Sequence, residues 1–106
     1  MDREGEIFYA LADPTRRAIF ERLTHGEAAV KELTPRLRVS QPAVSQHLAA
    51  LRRAGLVTER REGRHVYYRV TPSGLAPLVG WIDHYQAFWL DRLKRLKALL
   101  QEIDEH

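Results

Sequence analysis

The chain has 106 residues, a net charge of +3 and no cysteine. Its length fits one small domain spanning residues 1–106, of a size that often gains stability by oligomerising. The missing thiols exclude disulfides, zinc–thiolate sites and a cysteine nucleophile. Charge is unevenly spread: residues 31–70 hold nine Lys/Arg against three Asp/Glu, net +6, while residues 1–30 are net −2 and residues 71–106 net −1. A basic block in a near-neutral chain reads as a polyanion-binding surface.

The opening "MDREGEIFYALADP" has charges on both sides of a short apolar run, unlike a signal peptide. No window approaches the length of a membrane span, so no membrane partner is expected, and the lack of cysteine is compatible with the expected cytoplasmic location. A first short helix is predicted at about Glu4 to Leu11, with Ile7, Phe8 and Leu11 on one side. Asp13 then suits an N-cap and Pro14 the first helical position. Ile19, Phe20 and Leu23 form the stripe of this second helix, and Gly26 is expected as its C-cap. A third helix is predicted around Val30 to Leu37, with Val30, Leu33 and Leu37 on one face. Pro35 removes a backbone donor inside it, so the helix should be short or distorted there.

Arg38 and Val39 make a tight turn into "SQPAVSQHLAALRRAGLV". Ser40 is placed to cap this helix and Gly55 to stop it. Val44, Leu48 and Leu51 recur at helical spacing toward a core, while Gln41, Ser45, Gln46, Ala49 and Arg52 point the other way. Two helices joined by a short turn, the second with an exposed polar face, describe a helix-turn-helix over about 30–54. The period then changes. β-formers flank a charged, glycine-containing tip at Glu62, Gly63, Arg64 and His65, which reads as a β-hairpin over about 56–71. A hairpin in that position is a wing. From about Ser73 to Glu102 the chain is helical again. Leu75, Ile82, Trp89, Leu96 and Ile103 fall at steps of seven, with Leu78, Tyr85 and Leu99 at the second position and Arg92 as the exception. Such a helix is far longer than the average of about 11–12 residues. Its stripe asks for a partner helix, most simply from a second copy. The predicted fold is mostly α with a small β-hairpin: a winged helix-turn-helix with a long C-terminal dimerisation helix.

The chemistry of the exposed residues points to DNA. Gln41, Pro42, Ser45 and Gln46, near the start of the helix, can meet base edges in a major groove: Gln pairs with adenine, Ser bonds either way, and Pro touches a thymine methyl. Lys31, Arg38, Arg52, Arg53, Arg64 and His65 are candidates for phosphate or groove contacts. Ser40 joins the candidate set at the helix start. His47, at the edge of the buried stripe, suits either a phosphate or the packed interior. Nothing supports catalysis: Ser45 and His47 are two residues apart and do not face each other on a helix. Trp81, Tyr85, Phe88 and Trp89 suit packing better than an effector pocket, and no small-molecule effector is legible.

The stretches "LADPTRRAIFERL", "SQPAVSQHLAALRRAGLV" and "EGRHVYYRVTPSGL" resemble the signatures of the ArsR-type winged helix-turn-helix repressors of bacteria and archaea, over about residues 6–100. The resemblance implies a homodimer held by the first and last helices, and an operator gripped by the helix-turn-helix and the wing. Carried over, the recognition helix is Gln41 to Ala54 and the wing tip about Glu62 to His65. The interface residues would be Ile7, Phe8, Leu11, Ile82, Tyr85, Trp89, Leu96 and Leu99. Many members sense metals. Here the Cys-x-Cys position reads "VKELTPRL", and the Asp-x-His motif of the last helix is replaced by adjacent Asp83 and His84, with no further His before His106. The aromatic-rich last helix is similar to that of members without a recognised metal site. The expectation is therefore a homodimeric repressor of an imperfectly palindromic double-stranded operator, without metal or cofactor. A metal-responsive repressor using Asp83, His84 and His106, and a winged module that binds protein, are the alternatives.

Overall fold

The structure, a computed structural model, describes residues 2–104. In chain order it holds α1 (Arg3–Ala12), α2 (Pro14–Leu23), α3 (Val30–Leu33), a 3₁₀ turn (Thr34–Arg36), α4 (Gln41–Arg53), the strands β1 (Val57–Glu62) and β2 (His65–Val70), and α5 (Ala76–Asp104). Two compact units result, one running to Ala76 and the other starting at Pro77.

In the first unit the helices begin on side-chain caps. The Asp2 carboxylate accepts from the Gly5 N–H at 2.7 Å, and Asp13 accepts from Thr15 and Arg16 at 2.8 and 3.1 Å. Each satisfies amide donors that the first turn leaves free. Arg17 closes the other end of α1 by donating to the Leu11 and Ala12 carbonyls. The end of α2 differs from expectation. Thr24, not Gly26, is the C-cap, and its hydroxyl donates back to the Glu21 carbonyl. Gly26 lies two residues on, at φ +146°. The third helix is also shorter than the expected 30–37. It stops at Leu33, where the chain tightens into the 3₁₀ turn that carries Pro35.

The core gathers Ile7 and Ala10 of α1, Ile19 and Leu23 of α2, Leu33 of α3, Val44, Leu48 and Leu51 of α4, and Leu56 and Val57. Ile7 was expected at the dimer interface. It is instead fully buried, which leaves it no surface to offer a partner. Phe8, its neighbour, is 44% exposed, and Leu11 is half-buried.

The two strands pair antiparallel from Val57↔Val70 to Glu62↔His65, with Gly63 at φ +61° in the two-residue turn. Ala28 adds a bridge to Tyr68 through two backbone hydrogen bonds of 3.0 and 2.8 Å. After β2 the chain does not go straight into a helix at Ser73. The Gly74 N–H donates to the Thr71 carbonyl and the Ala76 N–H to that of Ser73, so α5 starts at Ala76. Gly74 is buried against the end of the helix-turn-helix: a Cβ there would lie 2.8 Å from the Gly55 carbonyl oxygen.

The second unit is α5 from Pro77 onward; the whole helix has 29 residues, or about 43 Å at 1.5 Å per residue. None of its residues is buried. Its side chains interact locally: Trp81 with Tyr85, Phe88 with Trp89, Arg92 over Phe88, and Arg95 with Asp91 at 3.1 Å. Among the described residues no helix is long and apolar enough to cross a membrane.

Candidate nucleic-acid interface

The site is built around the start of α4. The Ser40 hydroxyl accepts from the Ala43 N–H at 3.3 Å, and Pro42 occupies the first turn without leaving an amide donor orphaned. Val44, Leu48 and Leu51 are all fully buried, which fixes the rotation of the helix. With that face inward, Ser40, Gln41, Pro42, Ser45 and Gln46 are all exposed. Ser40, Gln41, Ser45 and Gln46 form a hydrogen-bonding edge over the first two turns, with the apolar ring of Pro42 among them. Ala49 is half-buried.

Arg38 lies two residues before Ser40, in the turn that leads into α4. It is exposed and is the one non-glycine residue with positive φ among the described residues, at +54°. A left-handed backbone with a side chain costs of order 1 kcal/mol. Lys31, on α3, is exposed, as are Arg64 and His65 at the end of the hairpin. Among the described residues Lys31, Arg36, Arg38, Arg53 and Arg64 have no carboxylate within ion-pair distance. Their charges are available to an outside anion.

Other basic residues are already engaged. Arg52 reaches Glu59 of β1 at 2.8 Å. Arg60 donates Nε and Nη2 to the two carboxylate oxygens of Glu27 and Nη1 to Glu62. The hydrogen bonds from Arg60 hold the Glu27 carboxyl below its ordinary range, and the same pairing raises the Arg60 guanidinium. Arg61 lies 3.8 Å from Glu59. Burial pushes the Tyr68 hydroxyl up, and the Glu59 carboxylate beside it adds to the shift. His47 is half-buried. The Arg16 and Thr15 amides hold the Asp13 carboxyl low, and the charges of His47 and Arg16 assist. His47 thus lies within electrostatic reach of the α2 cap.

Of the eleven side chains named from sequence for DNA, ten are exposed and His47 is not, while Arg52 is exposed but tied to Glu59. Sequence reasoning missed Glu27 and Glu59, whose importance lies in their partners, and the pairing of Arg60, which lies 33 residues from Glu27. For the second candidate surface, Ile82, Tyr85, Trp89, Leu96 and Leu99 of α5 are each 40–58% exposed. Tyr9 on α1, 65% exposed, was not anticipated.

The residues named for the metal alternative lie on or after α5. Asp83 and His84 are adjacent on that helix, so they project about 100° apart. Among the described residues no three His, Cys, Asp or Glu side chains stand close enough to share a metal. His106 lies outside the described residues.

Residues 11–60 match the helix-turn-helix domain family. The chain is 54% identical over 91 residues to the HTH-type transcriptional regulator Rv2034 of Mycobacterium tuberculosis, covering 86% of this chain and 82% of that one. It is 44% identical over 99 residues to the arsenical resistance operon repressor of Escherichia coli, covering 92% and 82%. Among solved structures, an ArsR-like transcriptional regulator from Rhodococcus superposes with a TM-score of 0.72 at 32% identity, over 92% of each chain. With relatives this similar over most of their length and a fold that superposes on an ArsR-like regulator, the chain belongs to the ArsR/SmtB family of DNA-binding helix-turn-helix transcriptional regulators, which are not enzymes.

Proposed function

We propose that this regulator acts as a homodimeric repressor in the cytoplasm, occluding a promoter without the help of a metal ion. The observation that carries the reading is the edge of Ser40, Gln41, Pro42, Ser45 and Gln46, exposed together on a helix whose other face is locked in the core. Such an edge fits a major groove, and the basic residues that flank it fit phosphates. Dimerisation is supported by the uncovered apolar stripe of α5. Two recognition helices related by a twofold axis read half-sites about 34–36 Å apart, so the operator should be an imperfect palindrome. Metal independence is supported by the donor set: no thiol anywhere, and Asp83 beside His84.

The test is fluorescence anisotropy with the DNA upstream of this protein's own gene, against scrambled DNA, across a salt series, with chelator and then with zinc. The expected result is tight selective binding that neither additive changes. Gln46→Ala should cost about 1–3 kcal/mol on the operator and less on scrambled DNA. Arg64→Ala should weaken both and lower the salt slope by about one per protomer. Release by zinc would restore the metal-responsive reading. Absence of affinity for any DNA, even at low salt, would replace the repressor with a protein-binding winged module.

A further inference from the structure

A two-stranded ribbon is at best marginally stable alone in water, so the wing does not hold its own direction. Its base is anchored by the bridge between Ala28 and Tyr68 and by buried Val57, and two ion pairs from neighbouring elements reach it farther along, one on each face. Glu59 and Tyr68 are register partners, and Arg60 and Tyr67 are the next pair along, so the two pairs lie on opposite faces. On the first face Arg52 of α4 meets Glu59 at 2.8 Å. On the second, the Arg60 guanidinium lies 4.8 Å from the Tyr67 ring centroid, bonds Glu62 at 2.8 Å and sets a two-pronged fork on Glu27. Glu27 directly precedes Ala28, the residue that bridges to Tyr68. A planar guanidinium gripping both carboxylate oxygens restricts orientation as well as distance.

We propose that Glu27 and Arg60, with Arg52 and Glu59, are positioning residues: they set the angle between the wing and α4, and their arginines do not neutralise phosphate. This deepens the DNA-binding reading above and rests on it. It also reverses an ordinary expectation. Removing an exposed acid from a protein that binds a polyanion should strengthen binding. If Glu27 positions the wing, removing it weakens binding.

The experiment compares wild type, Glu27→Gln, Arg60→Gln and the exchange Glu27→Arg with Arg60→Glu on the upstream DNA. Anisotropy across a salt series gives affinity and slope, and hydroxyl-radical footprinting shows which phosphates are covered. Glu27→Gln and Arg60→Gln should each weaken operator binding about threefold to fivefold, the scale of an exposed ion pair. Their salt slopes should match wild type, unlike that of Arg64→Ala. Protection should fade at the phosphates flanking each half-site and persist within it, and the exchange pair should recover most of the loss. Equal or tighter binding by Glu27→Gln, or a slope lowered by about one in Arg60→Gln, overturns the inference alone. A wild type that binds no DNA overturns the function reading and this inference with it.

Discussion

Arg38 shows at one residue how binding and stability pull against each other. The turn between the 3₁₀ segment and α4 needs a positive φ, and a glycine there would carry no steric penalty. An arginine at +54° accepts strain, yet its side chain is exposed and it lies two residues before Ser40, where the exposed polar edge begins. The strain is a reason to look for function at that residue. Replacing it separates the two roles. In Arg38→Gly the relief of strain, of order 1 kcal/mol, is offset by the roughly 0.5–1 kcal/mol that glycine loses in chain entropy on folding. Urea denaturation should therefore show stability unchanged or slightly raised. Arg38→Ala keeps the strained Cβ and should gain nothing. Both should bind DNA more weakly, with a salt slope about one lower per protomer. A large loss of stability in Arg38→Gly would mean that the guanidinium holds the turn together.

Between elements, the joint after the wing is closely packed. Gly74 lies under the end of α4 with no room for a methyl group: its Cβ would meet the Gly55 carbonyl at 2.8 Å and the Leu56 Cα at 3.1 Å, both backbone atoms that cannot swing aside. Gly74→Ala should therefore destabilise by about 1–3 kcal/mol in urea denaturation. If it does so by less than about 0.5 kcal/mol, the wing and α4 have slack between them. This joint was not legible in the sequence, where the last helix is expected to run from about Ser73 and nothing marks Gly74 as packed. The recognition helix was legible because its signals are local: Ser40 at one end, Gly55 at the other, and three apolar residues at helical spacing between them. The hairpin was legible for the same reason. The third helix was foreseen only as a disturbed one, since Pro35 marks where a helix fails but not what replaces it. In the sequence Arg52 reads as a phosphate or groove candidate and Arg60 only as one charge of the basic block, because composition counts charges without their partners. Glu59 is close in sequence but on another element, and Glu27 is 33 residues from Arg60. Pairings of that kind are properties of the fold.

At the scale of the whole molecule the unresolved demand is α5. A helix draws most of its stability from packing an apolar face, yet Ile82, Trp89, Leu96 and Ile103 remain 51–62% exposed in one copy. Leu96 lies well toward the C-terminal end, on the step-of-seven stripe. A second copy laid along that stripe removes these side chains from water, and burying one leucine fully is worth about 1.5–3 kcal/mol. Leu96→Asp puts a carboxylate on the stripe and should convert a dimer into a monomer by light scattering, while the recognition helix and wing stay folded. The consequence for DNA follows from linkage. When two recognition helices are joined, the second half-site is bound at an effective concentration in the millimolar range, which can raise affinity by about 10²–10⁴. The monomer should therefore lose about 100-fold or more on the full palindrome and little on a single half-site. If Leu96→Asp stays dimeric, the contact between copies does not run through this stripe, and the exposed Phe8 and Tyr9 of α1 become the residues to change next. If it is monomeric but binds the palindrome as tightly as wild type, joining two half-sites contributes nothing to operator affinity, and the twofold operator itself is wrong.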